Sequence, residues 1–334
     1  MIGPVGKIYY DDDASIADLE GQTLAVIGYG NQGRSWALNL RDSGLSPMVC
    51  VRQDETRERA ESDGFATLDL TEANQADVLC ILLPDDVIPT LGLQPRDDSC
   101  VIVASGYTLA FDRISPPGDT GLVAPRMLGP EVRLCYEEGI GFITAVGVHK
   151  DATGRALKRV LAVAKAIGGL RQGGIEMSAK QETILDLGVE QVLSPAMGAV
   201  NQAFTRIMLE NEVPPEAIVT ELILSGEFER TYRLVREVGY AAQFRFHSPT
   251  SQYGQLTRRD RFAHLDPELM TTMRELAEDI TSGRFADEWD AERESGYPVL
   301  EKLRETFAGT AVRDAETELR KRLGSGALAR EAEV

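Results

Sequence analysis

The stretch TLAVIGYGNQGRSWALNL, residues 23–40, decides the fold. Its first five residues are an apolar, partly β-branched run and read as a buried strand. From Asn31 onward the pattern turns helical. Between the two lie Gly28, Gly30 and Gly33, spaced G-x-G-x-x-G. Alone the spacing is a weak signal, but a strand before it and a helix after it make it a dinucleotide-binding turn. The glycines allow a tight turn and a close backbone approach to a pyrophosphate, at which the first N–H groups of the helix point.

Outward from this turn, short apolar runs recur at TLAVI (23–27), MVCV (48–51), VLCILL (78–83), CVIVA (100–104), GLVA (121–124) and FITAVGV (142–148). They are continuously apolar, as parallel strands covered on both faces should be. Helical or turn-rich stretches separate them, so the alternation predicts a doubly wound α/β sheet. A further helix, RALKRVLAVAKAIGG (155–169), sets Leu157, Val160, Leu161 and Ala164 on one face and stops at Gly168 and Gly169. Beyond residue 180 the strand pattern ends. Long helical stretches follow, QETILDLGVEQVLSPAMGAVNQAFTRIMLE (181–210) and PPEAIVTELILSGEFERTYRLVREVG (214–239). The expected organisation is an N-terminal Rossmann-like nucleotide-binding domain over 1–182, an all-α domain over 183–328, and a frayed tail over 329–334.

The 334 residues carry 35 Lys and Arg against 53 Asp and Glu, a formal charge of −18. Such a surface argues against nucleic acid or an anionic membrane as the main partner. No N-terminal signal pattern and no bilayer-length apolar run is present, which predicts a cytoplasmic protein. Cys50, Cys80, Cys100 and Cys135 form no C-x-x-C pair and read as buried thiols. His149, His247 and His264 are too scattered for a histidine-rich metal site.

The segment VCVRQDETRER (49–59) sits where a ribose edge is read. Arg52 suits a 2′-phosphate, while Asp54 and Glu55 would repel one and tip the balance from NADP(H) to NAD(H). Farther on, Asp186 and Glu190 are four residues apart in an apolar helical context. Two carboxylates on one helix face repel unless a cation lies between them, and Mg²⁺ fits oxygen donors. Glu221 stands in similarly apolar company in VTELIL.

These motifs together resemble the ketol-acid reductoisomerase family in its shorter form. The resemblance runs nearly end to end, through KIYYDDDASIADLEGQTLAVIGYGNQG (7–33), ILLPDD (81–86), DATGRALKRVLAVAKAIGG (151–169), KQETILDLGVEQVL (180–193) and ITSGRFADEWDAERESGYPVLEKLR (280–304). It implies a knotted helical C-terminal domain and a homodimer, or a higher oligomer, whose active sites are completed across the interface. It implies two Mg²⁺ ions and a nicotinamide cofactor. The implied reaction is a 1,2-alkyl shift in a small 2-hydroxy-2-alkyl-3-oxo acid, followed by hydride transfer. By this resemblance Asp186 bridges both metals, Glu190 binds the first, and Glu221 reaches the second from the partner subunit. Ser248, in HSPTSQYG, matches the serine that holds the substrate carboxylate. The candidate cofactor residues are Gly28, Tyr29, Gly30, Gln32, Gly33, Arg52, Asp54, Pro84 and Asp85.

The departures cluster in one corner. Ser105 stands where the family has a histidine, and Arg126 where it has a lysine. Met127, Leu128, Gly129 and Pro130 replace glycine-proline-glycine-histidine, and Ser225 replaces a second metal-site glutamate. Ser105 and Arg126 are therefore candidate catalytic and substrate-binding residues of an altered pocket. The first expectation is an enzyme repurposed for another small hydroxy or keto acid in specialised metabolism, by redox, rearrangement or ring closure such as cyclopropanol formation. The alternatives are a true ketol-acid reductoisomerase and a non-catalytic cofactor-binding paralogue.

Overall fold

The computed structural model describes residues 6–308 and 317–322. The chain divides into two compact units, Met1–Gly188 and Val189–Val334. The expected tail, 329–334, lies outside the described residues.

Among the described residues the first unit holds nine strands: β1 (Ile8–Tyr9), β2 (Leu24–Ile27), β3 (Met48–Cys50), β4 (Thr67–Leu68), β5 (Val78–Ile81), β6 (Cys100–Val103), β7 (Asp119–Pro125), β8 (Thr144–Lys150) and β9 (Gly174–Glu176). Its helices are α1 (Asn31–Asp42), α2 (Glu55–Ser62), α3 (Tyr107–Ala110), α4 (Gly129–Glu137), α5 (Ala156–Ala166) and α6 (Ala179–Gly188). The sheet order is β1-β9-β8-β7-β6-β5-β2-β3-β4. From β4 to β7 all pairings are parallel, as the continuous apolar runs predict. The chain leaves β2 toward β3 and returns to β5, so the order reverses at β2, and ligands of such sheets bind at that point.

Two features differ from the sequence expectation. Strand β8 pairs with β7 antiparallel, from Pro125 with Thr144 to Thr120 with Lys150. Short strands β1, β4 and β9 extend the sheet. An apolar run looks alike in either direction, and strands of two or three residues are too short to show a period.

The sheet is buried on both faces. Val26, Val49, Cys80, Ile102 and Val146 pack with Trp36 and Leu40 of α1, Val132 of α4 and Val160 of α5. Ala25, Ile27, Leu79, Ile81, Val101, Val103 and Leu122 alternate to the other face, against Ile88, Leu109 and Ala179. Each fully buried aliphatic side chain contributes about 1.5–3 kcal/mol of transfer free energy. All four cysteines are buried, and burial pushes the Cys50 thiol up to about 11.

The described residues of the second unit are helical: α7 (Ser194–Glu210), α8 (Pro215–Val219), α9 (Glu227–Val238), α10 (Tyr240–Gln243), α11 (Pro249–Arg258), α12 (Asp266–Ser282), α13 (Arg284–Glu294) and α14 (Pro298–Ala308). The stretch 214–239 is not one helix. A π-helical turn, Thr220–Leu224, follows α8, and Gly226 at φ 69° breaks the chain before α9. Among the described residues no helix is long and apolar enough to cross a membrane.

Candidate active site

The carboxyl ends of β2, β5 and β6 lie side by side, because Ile27 pairs with Ile81 and Ile81 with Val103; Val103 pairs with Leu122, and β7 runs on from there to Pro125. The residues that follow these strands build the site.

After β2 the chain turns at Gly28, whose φ of 96° disfavours any side chain. A Cβ there would lie 2.6 Å from the Leu82 carbonyl oxygen, and one at Gly33 would lie 2.2 Å from the Gly28 carbonyl oxygen. A Cβ at Gly30 would meet nothing within 4 Å. Two glycines thus close the turn on itself, and the third leaves open space before α1. No side chain caps α1, so its first N–H groups remain for an anion. This cradle fits the pyrophosphate of a nicotinamide dinucleotide.

Tyr29 has its side chain in the core, 1% exposed. Its hydroxyl donates to Asp63 Oδ2 at 2.9 Å and its ring meets Phe65 edge-on, so it offers the cradle only its backbone. Gln32 is a strut: Nε2 donates to the Met127 carbonyl at 3.1 Å, and Oε1 accepts from Trp36 Nε1. Ser35 Oγ donates to the Gly129 carbonyl at 2.7 Å. A Cβ on Gly129 would lie 2.4 Å from the Asn31 carbonyl oxygen, so the 126–130 corner sits directly on the start of α1.

At the ribose edge Arg52 is exposed. Asp54 caps α2, accepting from Thr56 N at 3.0 Å, and the Thr56 hydroxyl holds its carboxyl below the usual range. Arg57 turns inward to the Val51 carbonyl at 2.9 Å and to Asp69 at 2.6 Å.

After β5, Pro84 is exposed and Asp85 half-buried. Ser105, after β6, donates to Asp85 Oδ2 at 3.3 Å and accepts from Tyr107 N at 3.2 Å. Burial pushes the Asp85 carboxyl up to about 7, and the nearby negative charges of Glu182, Asp186 and Asp86 act in the same direction.

The next residue brings in a side chain the sequence reading passed over. Gly106 N donates to Glu182 Oε2 at 2.7 Å. Glu182 is 1% exposed, and burial raises its pKa. Arg126, after β7, donates through Nη1 to Glu182 Oε1 at 2.8 Å and through Nη2 to Asp186 Oδ1 at 2.9 Å. Glu182 and Asp186 are four residues apart on α6, one turn before the pair singled out from the sequence. The same spacing rule, applied one turn earlier, would have found it.

Ser105, Asp85, Arg126 and Asp186 therefore come together in the first unit, around Glu182. Glu190 and Glu221 belong to the second unit, exposed in the π-helical turns Val189–Leu193 and Thr220–Leu224. Ser248 is the N-cap of α11 and accepts from Ser251 N at 3.2 Å. Among the described residues no three His, Cys, Asp or Glu side chains of one chain gather in an arrangement that could hold a metal. The carboxylates suit a hard cation in kind. In number they do not suit two ions sharing Asp186, because its Oδ1 already carries the Arg126 guanidinium.

Comparisons with known proteins agree with this layout. Residues 18–173 match the family model described as acetohydroxy acid isomeroreductase, NADPH-binding domain. Residues 179–324 match the ketol-acid reductoisomerase C-terminal domain. The chain is 38% identical over 332 residues to the ketol-acid reductoisomerase (NADP(+)) of Caldivirga maquilingensis, covering 96% of this chain and 100% of that one. It is 36% identical over 308 residues to the ketol-acid reductoisomerase (NAD(P)(+)) of Metallosphaera sedula, covering 89% of this chain and 91% of that one. Among solved structures it resembles an NADH-preferring ketol-acid reductoisomerase from an uncultured archean, with TM-score 0.87 and 31% identity over 94% of this chain and 98% of that one.

Proposed function

The chain belongs to the ketol-acid reductoisomerase family, and we propose that it performs that family's reaction on a small 2-hydroxy-2-alkyl-3-oxo acid. The observation that carries this reading is the adjacency, at the carboxyl edge of one sheet, of the open Gly30 cradle and the Ser105–Asp85 and Arg126–Glu182–Asp186 cluster. A nicotinamide is aimed from the first, and the second offers charge and proton-bearing groups to an anionic substrate.

Each of this chain's residues has a task in that reading. Arg126 presents a fixed positive charge to the substrate carboxylate or to a developing oxyanion. The Ser105 hydroxyl gives a neutral hydrogen bond where little proton transfer is available from serine itself. Asp85, poised near neutrality, holds a proton behind Ser105. A bound Mg²⁺ would supply Lewis acidity toward the substrate oxygens. It is the resemblance, and not the geometry of one chain, that assigns Asp186, Glu190 and Glu221 to it. Asp54 and Glu55 favour NADH over NADPH at the ribose edge, with Arg52 the opposing group.

A homodimer is part of the proposal. Val200, Phe228, Tyr232, Phe246, Tyr253 and Phe262 of the helical unit are each more than half exposed, large side chains that a second copy would cover.

The test is turnover of acetolactate with Mg²⁺ and NADH or NADPH, followed at the nicotinamide absorbance. Brisk oxidation of the cofactor supports the reading. The substitutions at Ser105, Arg126 and 127–130 favour a second one, an enzyme repurposed for another hydroxy or keto acid, including ring closure to a cyclopropanol. Tight cofactor binding without acetolactate turnover would move the assignment there. Failure to bind either cofactor would point to a non-catalytic paralogue.

A further inference from the structure

Arg126 is held as a fork between two carboxylates of α6. Glu182 is the anchored side: it is 1% exposed, one oxygen accepts Nη1 at 2.8 Å, and the other accepts Gly106 N at 2.7 Å. Asp186 is the open side, with 40% of its side chain exposed and Oδ1 accepting Nη2 at 2.9 Å. The guanidinium cannot leave Asp186 by simple rotation without also breaking its bond to a buried carboxylate. A lysine at this place would be a single point charge on a flexible stem and could swing aside; a two-pronged guanidinium is held.

A carboxylate that bridges two divalent ions offers one oxygen to each. In this chain one of those oxygens is occupied by a fixed cation, which excludes an ion by position and repels one by charge. A second observation agrees. Ser225 stands where the resemblance expects a metal-site glutamate, and its hydroxyl accepts from Glu227 N at 3.2 Å at the start of α9. One anionic donor is lost, and a guanidinium occupies an oxygen that a bridging carboxylate would offer to an ion.

We propose that Arg126 takes the place of one divalent cation at Asp186, so that each active site binds a single Mg²⁺ where the family resemblance implies two. The inference rests on the reductoisomerase reading for the presence of Mg²⁺ at all. It deepens that reading by giving the second ion's electrostatic role to a side chain.

The test is a count of bound ions, with Mn²⁺ as the probe. The full-length protein, saturated with NADH, is titrated with Mn²⁺ and the free ion is read by electron paramagnetic resonance. One Mn²⁺ per chain is expected. R126Q removes the competing charge and should bind that ion at least about tenfold more tightly, since a neighbouring unit charge readily changes affinity by that factor. The double variant R126K/S225E, which restores both family residues, should take up a second Mn²⁺. Two ions or none per wild-type chain, unchanged or weaker affinity in R126Q, or a single ion in the double variant would each overturn the proposal. Should R126Q not fold, the wild-type and double-variant counts still decide. The count does not depend on which acid is turned over, so failure of this inference and failure of the reaction assignment are read separately.

Discussion

The backbone N–H of Gly106 donates to Glu182 Oε2 at 2.7 Å, tying the corner after β6 to helix α6. The bond puts a buried carboxylate, and through it Arg126, beside Ser105. Removing Glu182 leaves the Gly106 donor unpaired and the Arg126 guanidinium with Asp186 alone. E182A should therefore destabilise the protein by about 2–4 kcal/mol, and E182Q, which keeps an acceptor for Gly106, by clearly less. Urea unfolding of both variants checks the order. Equal losses would mean that the acceptor kept for Gly106 contributes nothing and that the lost charge pair with Arg126 accounts for the whole effect.

Two glycines of the cradle, Gly33 and Gly30, should behave differently. G33A forces a Cβ to 2.2 Å from the Gly28 carbonyl oxygen, so both folding and cofactor binding should suffer. At Gly30 a Cβ meets no protein atom within 4 Å. G30A should keep the melting temperature within a few degrees yet weaken nicotinamide binding by about tenfold or more, because the methyl intrudes only on the ligand. Calorimetric titration beside a thermal melt distinguishes them. Unchanged binding by G30A would remove the pyrophosphate from this turn.

Cofactor preference should respond to the acid pair at the end of β3. Asp54 caps α2, and serine is also a good N-cap, so D54S preserves the helix while removing a charge. The double variant D54S/E55S should shift the NADPH-to-NADH affinity ratio toward NADPH by about tenfold, read as the two dissociation constants. A ratio that does not move would place the 2′ position elsewhere.

Asp85 gives stability a pH dependence of known sign. Its folded carboxyl is pushed up to about 7, above the ordinary unfolded value near 4. An acid raised in this way holds its proton more tightly when folded. Its contribution is full below about pH 4 and is lost as pH rises through about 7. Relative to D85N, the wild type should lose up to about 1.4 kcal/mol per pH unit across that window. Unfolding in EDTA between pH 4.5 and 8 measures the difference, and a flat difference would contradict the burial of this group.

Much of this architecture is legible in the sequence because its signals are local. The turn at Gly28, Gly30 and Gly33 is written by a strand, three glycines and a helix within 18 residues, 23–40. The parallel strands carry their own signature in unbroken apolar runs. What is not legible depends on distant partners. The antiparallel pairing of β8 with β7 is set by where the chain returns, which apolarity does not encode. Tyr29 lies inside a ligand motif, yet its hydroxyl is drawn to Asp63, 34 residues on. The break at Gly226 was hidden because a glycine inside an apolar helical pattern can be tolerated, and only its φ of 69° shows that it is not. Glu182 was obscured by its neighbours, since its partners Gly106 and Arg126 lie on other strands' ends.

The central claim is that this chain passes a hydride between a nicotinamide and a rearranged hydroxy-oxo acid. The most direct measurement uses NADH and NADPH deuterated at C4 of the nicotinamide, with acetolactate and Mg²⁺, and mass analysis of the product. The account predicts a 2,3-dihydroxy acid carrying one deuterium at C2, in an amount equal to the cofactor oxidised. Recovery of unlabelled acetolactate with neither cofactor consumed, from protein that binds the cofactor, would contradict it.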